Sequence, residues 1–298
     1  MFSEQQIEQY EIEGYTSYPD LLSRESLDVL LSDLETICAG STLAHHDNSK
    51  IEMEPNQAQD GGLVRRVYQP CTFYPKFREL AESTKLLDCV EQLVGSDILF
   101  HYSKINMKPP AIGSVVDWHQ DLVYYPMTNR DSLAVLIYLD NAEKENGCLQ
   151  VIPGQHLTSP MSHEIDGYFQ GRITETVDES QSVFVEGAAG TAIFLHCMTP
   201  HASTINNSSK ARRTLIISYR AADAFLIYPR EGDTAGVDKN SRLVRGVPAT
   251  VARITEQQFP MPRLRHRVSS LYELQELSRN ASPTDQLDHN ASPDRMSS

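Results

Sequence analysis

This sequence is poor in the features that membrane, secreted and nucleic-acid-binding proteins rely on. Across its 298 residues no apolar run approaches the roughly 18 residues of a membrane span. The opening Met1-Phe2-Ser3-Glu4 has neither the basic start nor the apolar core of a secretory leader. The 26 Lys and Arg are outnumbered by 40 Asp and Glu, for a formal net charge of −14. Without clustered cations there is no surface for a phosphate backbone, which argues against nucleic-acid binding. The five cysteines (Cys38, Cys71, Cys89, Cys148 and Cys197) are odd in number and scattered. None forms a two-residue-spaced pair, so reduced, mostly buried thiols in a cytoplasmic protein are expected rather than disulfides or a zinc knuckle. The final Arg295-Met296-Ser297-Ser298 is not a Ser-Lys-Leu peroxisomal address. Two glycosylation sequons, at Asn207 and Asn280, carry no weight without a leader. The remaining composition, 40% hydrophobic and 22% charged, is that of an ordinary globular protein with a sizeable core.

Hydrophobic periodicity divides the chain into a helical first third and a strand-rich remainder. Residues 3–13 read as a short polar helix ended by Gly14. A stronger one opens at Ser23, with Leu27, Leu30, Leu31, Leu34 and Ile37 at helical spacing and Gly40 as its stop. Residues 45–62 are polar and turn-rich, as a surface loop would be. A short strand is expected over 66–68, then helices over 77–82 and 85–94. Past Gly95 the period changes to that of strands, over 98–108, 133–139, 148–152, 182–185, 191–195 and 214–219. A last helix is expected over 261–277. The order predicts one α+β domain over residues 1–279, its second half a barrel or sandwich. The Ser-, Asp-, Asn- and Pro-rich stretch 280–298 reads as a disordered tail.

The chemistry gathers around Trp118-His119-Gln120-Asp121. His119 and Asp121 are two apart, so on an extended strand their side chains point to one side. Joined by a distant imidazole, they make the two-histidine, one-carboxylate set that suits non-heme Fe(II) and leaves a face open for substrate and O2. A His-x-Asp triplet alone is weak, since His45-His46-Asp47 is a second copy, but that copy lies in a polar turn with no strand to direct it. The downstream segment adds weight. Strand 191–195 delivers His201 at or just past its end, residues 206–210 turn, and strand 214–219 returns. As a hairpin this brings Arg212 alongside His201, where its guanidinium fork would pair with a dicarboxylate cosubstrate. Arg213 is the alternative anchor, but neighbours on a strand face opposite ways. His196 is assigned a structural role, and His156 and His163 are placed on the surface or in loops.

These residues resemble the phytanoyl-CoA dioxygenase family of Fe(II)- and 2-oxoglutarate-dependent oxygenases. The resemblance is carried by His119-Gln120-Asp121-Leu122 with Tyr125-Pro126, by Asn146-Gly147-Cys148-Leu149 with Pro153-Gly154-Gln155-His156, and by His201-Ala202-Ser203 with Asn206 and Arg212-Arg213. It covers most of residues 1–225 and implies a double-stranded β-helix (a jelly-roll, cupin-like barrel) with flanking helices. It further implies that His119, Asp121 and His201 bind Fe(II), that Arg212 and Ser203 hold the far carboxylate of 2-oxoglutarate, and that Lys104 and Asn106 face the cosubstrate. Tyr102 stands where ectoine hydroxylases carry Gln, which speaks against ectoine as substrate. Tyr124 and Tyr125 are candidate walls of the substrate pocket. The expected reaction is hydroxylation of a small molecule or acyl derivative with release of succinate and CO2. Desaturation or cyclisation by the same chemistry is the alternative, and a silent binding protein or a zinc hydrolase are the rivals outside it.

Overall fold

The computed structural model describes residues 1–111, 114–227, 240–255, 258–261 and 270–280. Its helices are α1 (Glu4–Glu13), α2 (Arg24–Cys38), α3 (Pro70–Phe73), α4 (Pro75–Ala81), α5 (Thr84–Val94) and α6 (Leu271–Asn280). Its strands are β1 (Tyr15–Tyr18), β2 (Ile51–Met53), β3 (Val64–Tyr68), β4 (Ile98–Lys108), β5 (Val116–His119), β6 (Ser132–Tyr138) and β7 (Leu149–Val151). They continue as β8 (Glu164–Ile165), β9 (Tyr168–Phe169), β10 (Val183–Val185), β11 (Ala192–His196), β12 (His201–Ser203), β13 (Arg212–Ala221) and β14 (Arg242–Arg245).

Local chemistry sets the helix ends where the sequence places them. Ser3 and Gln6 form a reciprocal capping box at the start of α1, and Gly14 ends it at φ +80°, a left-handed conformation that glycine adopts without strain. The Ser23 side chain accepts from the Ser26 N–H at the start of α2.

The strands form a large antiparallel sheet, ordered β1-β11-β6-β13-β4-β3-β2 with β14 beside β4, and a smaller one ordered β10-β7-β12-β5. This is the expected α+β, double-stranded β-helix architecture. Strand alternation divides the large sheet's residues between two cores. Ile105, Val135, Ile137, Phe194, Leu215 and Ile217 face outward into a core shared with α1, α2, α4 and α5. Ala134, Leu136, Tyr138, Ile193 and Leu195 face inward, against Leu149, Val151 and Val185 of the small sheet. At the mouth of that inner space the lining turns polar, and the site lies there.

Four expectations need correction. The polar stretch 45–62 contains β2, which pairs with β3. Its three residues hold only two buried side chains, Ile51 and Met53, too few to show a period. A short helix, α3, precedes the one expected near residue 77. His156, in a 3-10 turn over Gln155–Leu157, and His163, in a loop, are 5% and 4% exposed, so neither is a surface residue. The fourth concerns β12. The expected hairpin of strands 191–195 and 214–219 does not form, because β11 pairs with β1 and β6 while β13 pairs with β4 and β6, and His201 opens the separate strand β12, which pairs with β5 and β7 in the small sheet. Of the last helix, α6 covers its C-terminal half and runs to Asn280, whereas residues 262–269 and the expected tail from 281 lie outside the described residues.

Candidate active site

His119 ends β5 and His201 begins β12, and the two are direct partners across that antiparallel pair. Their rings lie 4.0 Å apart between centroids. Asp121 is not on the strand. It opens a 3-10 turn over Asp121–Val123, after Gln120 has kept the chain extended. Gln120 is held from both ends of its amide, accepting from the Met161 N–H at 2.8 Å and donating to the Met198 carbonyl at 2.6 Å. The Asp121 carboxylate thereby reaches 3.9 Å from His119 Nε2 and 4.0 Å from His201 Nε2. One donor atom from each of the three residues lies within 4.8 Å of the others, and among the described residues no other such group occurs.

The tautomers of both imidazoles are set by backbone carbonyls. His119 Nδ1 sits 2.8 Å from the Asp117 carbonyl and His201 Nδ1 3.0 Å from the Thr199 carbonyl. A carbonyl only accepts, so each Nδ1 carries the proton and each Nε2 offers its lone pair toward Asp121. Burial pushes both pKa values down, well down for His119, where His201 adds repulsion. Neutral imidazoles bind a cation without first releasing a proton. The donor set therefore fits Fe(II), with two neutral nitrogens and one carboxylate on one face of the ion.

The adjoining cavity is lined by His119, His201, Lys104, Asn106, Ser203, Arg212, Thr214 and Leu271. Arg212 and His201 thus do meet, but across the two sheets rather than along one ladder. Arg212 is 4% exposed. It donates through Nη1 to Thr214 Oγ1 at 2.9 Å and through Nη2 to the Gly147 carbonyl, while its buried Nε has no acceptor among the described residues. Gly147 has φ +76°, and a Cβ there would collide with the Thr204 carbonyl, so only glycine brings that carbonyl to Arg212. Arg213 faces the other way, in a two-pronged pair with Asp140 at 2.8 and 2.7 Å. Lys104 lines the cavity too. Burial pushes its ammonium down to about 8, Arg66 adds to the shift, and Asp121 and Glu52 oppose it.

The other sequence candidates divide. His45 and His46 take no part in the site, and His46 Nδ1 contacts the Thr42 carbonyl at 2.9 Å. His196 accepts from the Met198 N–H and packs on His156, a structural role. Tyr124 and Tyr125 stand close to the triad. The Tyr124 ring meets His119 edge-on at 5.6 Å, and the partly buried Tyr125 ring packs edge-on against His101 at 4.8 Å. Sequence reasoning passed over Arg66, whose Nε donates to Asn106 Oδ1 at 3.0 Å. No alternation singles it out, because four consecutive residues of β3, Val64 to Val67, are buried.

A jelly roll with this triad beside a buried, unmatched guanidinium defines an Fe(II)- and 2-oxoglutarate-dependent dioxygenase. The sequence matches the phytanoyl-CoA dioxygenase (PhyH) family over residues 10–214, and the chain belongs to that family. It is 34% identical over 269 residues to a probable alpha-ketoglutarate-dependent hypophosphite dioxygenase of Stutzerimonas stutzeri, covering 88% of this chain and 92% of that one. It is 28% identical over 219 residues to a methylphosphonate hydroxylase of Gimesia maris, covering 74% and 81%. The structure of EctD from S. alaskensis with 2-oxoglutarate and 5-hydroxyectoine shares the fold, with a TM-score of 0.64, 23% identity and coverage of 90% and 89%.

Proposed function

We propose that His119, Asp121 and His201 hold Fe(II), and that Arg212, Ser203, Asn106 and Lys104 receive 2-oxoglutarate in front of them. The observation that carries this reading is the convergence of the three candidate donor atoms on a cavity also lined by Arg212, a buried guanidinium that pairs with no carboxylate among the described residues. A desolvated charge of this kind gains most from an anionic partner. When bound, Fe(II) supplies the activation of O2, and 2-oxoglutarate supplies two electrons as it is oxidised to succinate and CO2. The chain orients these partners. The Asp117 and Thr199 carbonyls set the imidazole tautomers, and Leu136, Tyr138 and Ile216 provide the apolar inner wall.

For the substrate, the first candidates are small phosphorus oxyanions, because two relatives of this chain are named for hypophosphite and methylphosphonate. A cytoplasmic setting fits the five free thiols and the absence, among the described residues, of a helix long and apolar enough to cross a membrane.

The test is an anaerobic visible spectrum of the apoprotein on adding Fe(II) and then 2-oxoglutarate, followed in air by succinate release with hypophosphite, methylphosphonate or an acyl-CoA. A charge-transfer band that requires both additions is expected, as is succinate release stimulated by a phosphorus oxyanion. Absence of the band from folded protein refutes the cofactor assignment, and stimulation by the acyl-CoA alone refutes the substrate assignment.

Lys104 adds a pH signature. Its ammonium attracts an anion only while protonated, so apparent 2-oxoglutarate affinity is full below the pKa of about 8. It falls above that point by up to about tenfold per pH unit. Lys104→Arg stays charged and flattens the profile between pH 7 and 9. A variant profile identical to that of the native enzyme refutes this role.

A further inference from the structure

Helix α6 lies beyond the family-matched stretch, which ends at residue 214, yet its Leu271 forms part of the cavity wall. The helix is anchored to the strand that carries His119. Gln275, 0% exposed, accepts from the Asp117 N–H at 3.1 Å and donates to the Gly171 carbonyl at 2.6 Å. Next to Leu271, the Tyr272 ring is buried against two guanidiniums, with Arg65 at 4.6 Å and Arg66 at 4.7 Å from its centroid.

We propose that Tyr272 and Arg66 are positioning residues of the cosubstrate site: Tyr272 holds Arg66, and Arg66 turns the Asn106 amide so that its NH2 faces the cavity as a donor. This rests on the reading of Asn106 as a contact of 2-oxoglutarate.

The argument begins at the amide. Arg66 and Asn106 are register partners on β3 and β4, and Arg66 Nε donates to Asn106 Oδ1 at 3.0 Å. A guanidinium has donors only, so the opposite amide orientation would set NH2 against N–H in a buried place. The pair therefore has one stable orientation, with the oxygen turned to Arg66 and the nitrogen free to serve a ligand. A dianionic cosubstrate needs donors, and an unrestrained Asn would offer its oxygen as readily.

Arg66 must itself be held, since it is 3% exposed and its buried Nη2 has no acceptor among the described residues. Its nearest carboxylate, Glu52, is 3.9 Å away and already accepts from the Tyr68 hydroxyl at 2.6 Å. The Tyr272 ring face, at 4.7 Å, is closer than that of Tyr68, at 5.5 Å. Cation–π attraction is strongest where the cation has lost its water. Tyr272 thus supplies support that Glu52 does not.

The test is 2-oxoglutarate binding to Mn(II)-loaded protein, read by calorimetry and by thermal shift. Tyr272→Phe keeps the ring and should bind within about twofold of the native protein, whereas Tyr272→Leu and Arg66→Met should weaken binding about 5- to 30-fold. Mn(II) affinity and kcat at saturating 2-oxoglutarate should change little, a split that general destabilisation would not produce. Asn106→Ala, which removes the amide without adding charge, should lose at least as much as Arg66→Met, and the double variant no more than Asn106→Ala alone. This pair keeps the idea testable if Tyr272→Leu does not fold. Native-like binding by Arg66→Met, or equal loss in Tyr272→Phe and Tyr272→Leu, overturns the proposal. Arg212→Ala separates the levels. If it weakens binding and these variants do not, only this inference fails. If it too binds normally, the cosubstrate reading fails.

Discussion

His119→Ala and His201→Ala each abolish Fe(II) binding and turnover, while His45→Ala retains both. The proposed site offers three protein donors, so each histidine deletion leaves a two-donor set that cannot compete with water for the ion. The size of the effect follows from how completely the site is prepared. Both rings are buried, both tautomers are set by backbone carbonyls, and both Nε2 atoms lie within 4.0 Å of Asp121. None of this preparation survives loss of the ring. A readout independent of turnover is the melting temperature, since a metal that binds only the folded state raises it. Fe(II) or Mn(II) should raise it for the native protein and for His45→Ala, and leave His119→Ala and His201→Ala unmoved. Full activity or a native-sized metal shift in His201→Ala would refute the ligand assignment.

Arg212→Ala weakens 2-oxoglutarate binding by about 2–4 kcal/mol, or roughly 30- to 1000-fold, with metal binding kept. The figure is that for truncating one partner of a buried, hydrogen-bonded charge pair, and it includes the cost of leaving the cosubstrate carboxylate unmatched. Arg212→Lys keeps the charge but loses the fork, so an intermediate loss is expected. Arg213→Ala is the control. Its guanidinium is spent on Asp140 and its side chain is 21% exposed. Its loss should cost at most about 1 kcal/mol of stability, as for a surface pair, and leave 2-oxoglutarate affinity unchanged. If Arg213→Ala and not Arg212→Ala raises the apparent KM, the two roles are reversed.

The sequence by itself determined whatever depends on near neighbours along the chain. Ser3, Gly14 and Ser23 mark helix ends because caps act within four residues. The eleven-residue strand β4 shows its alternation plainly. The same alternation separates Arg212 from Arg213, since a pleated strand cannot aim both at one point. His119 and Asp121 were legible as a converging pair, although a 3-10 turn rather than a strand completes the convergence. The tertiary structure alone decided which strand pairs with which. Periodicity records only that one face is apolar, and β11 and β13 both satisfy it in either sheet. The segment at His201 therefore read as the overhang of a hairpin between β11 and β13, when it forms a strand of its own, β12, whose partners are β5 and β7. The polar loop around β2 concealed a strand because three residues carry no measurable period. Arg66 and Tyr272 are 206 positions apart, so their contact has no local signature. They meet because closing the jelly roll leaves a buried cation at its mouth, and the C-terminal helix supplies the aromatic face that makes that burial tolerable.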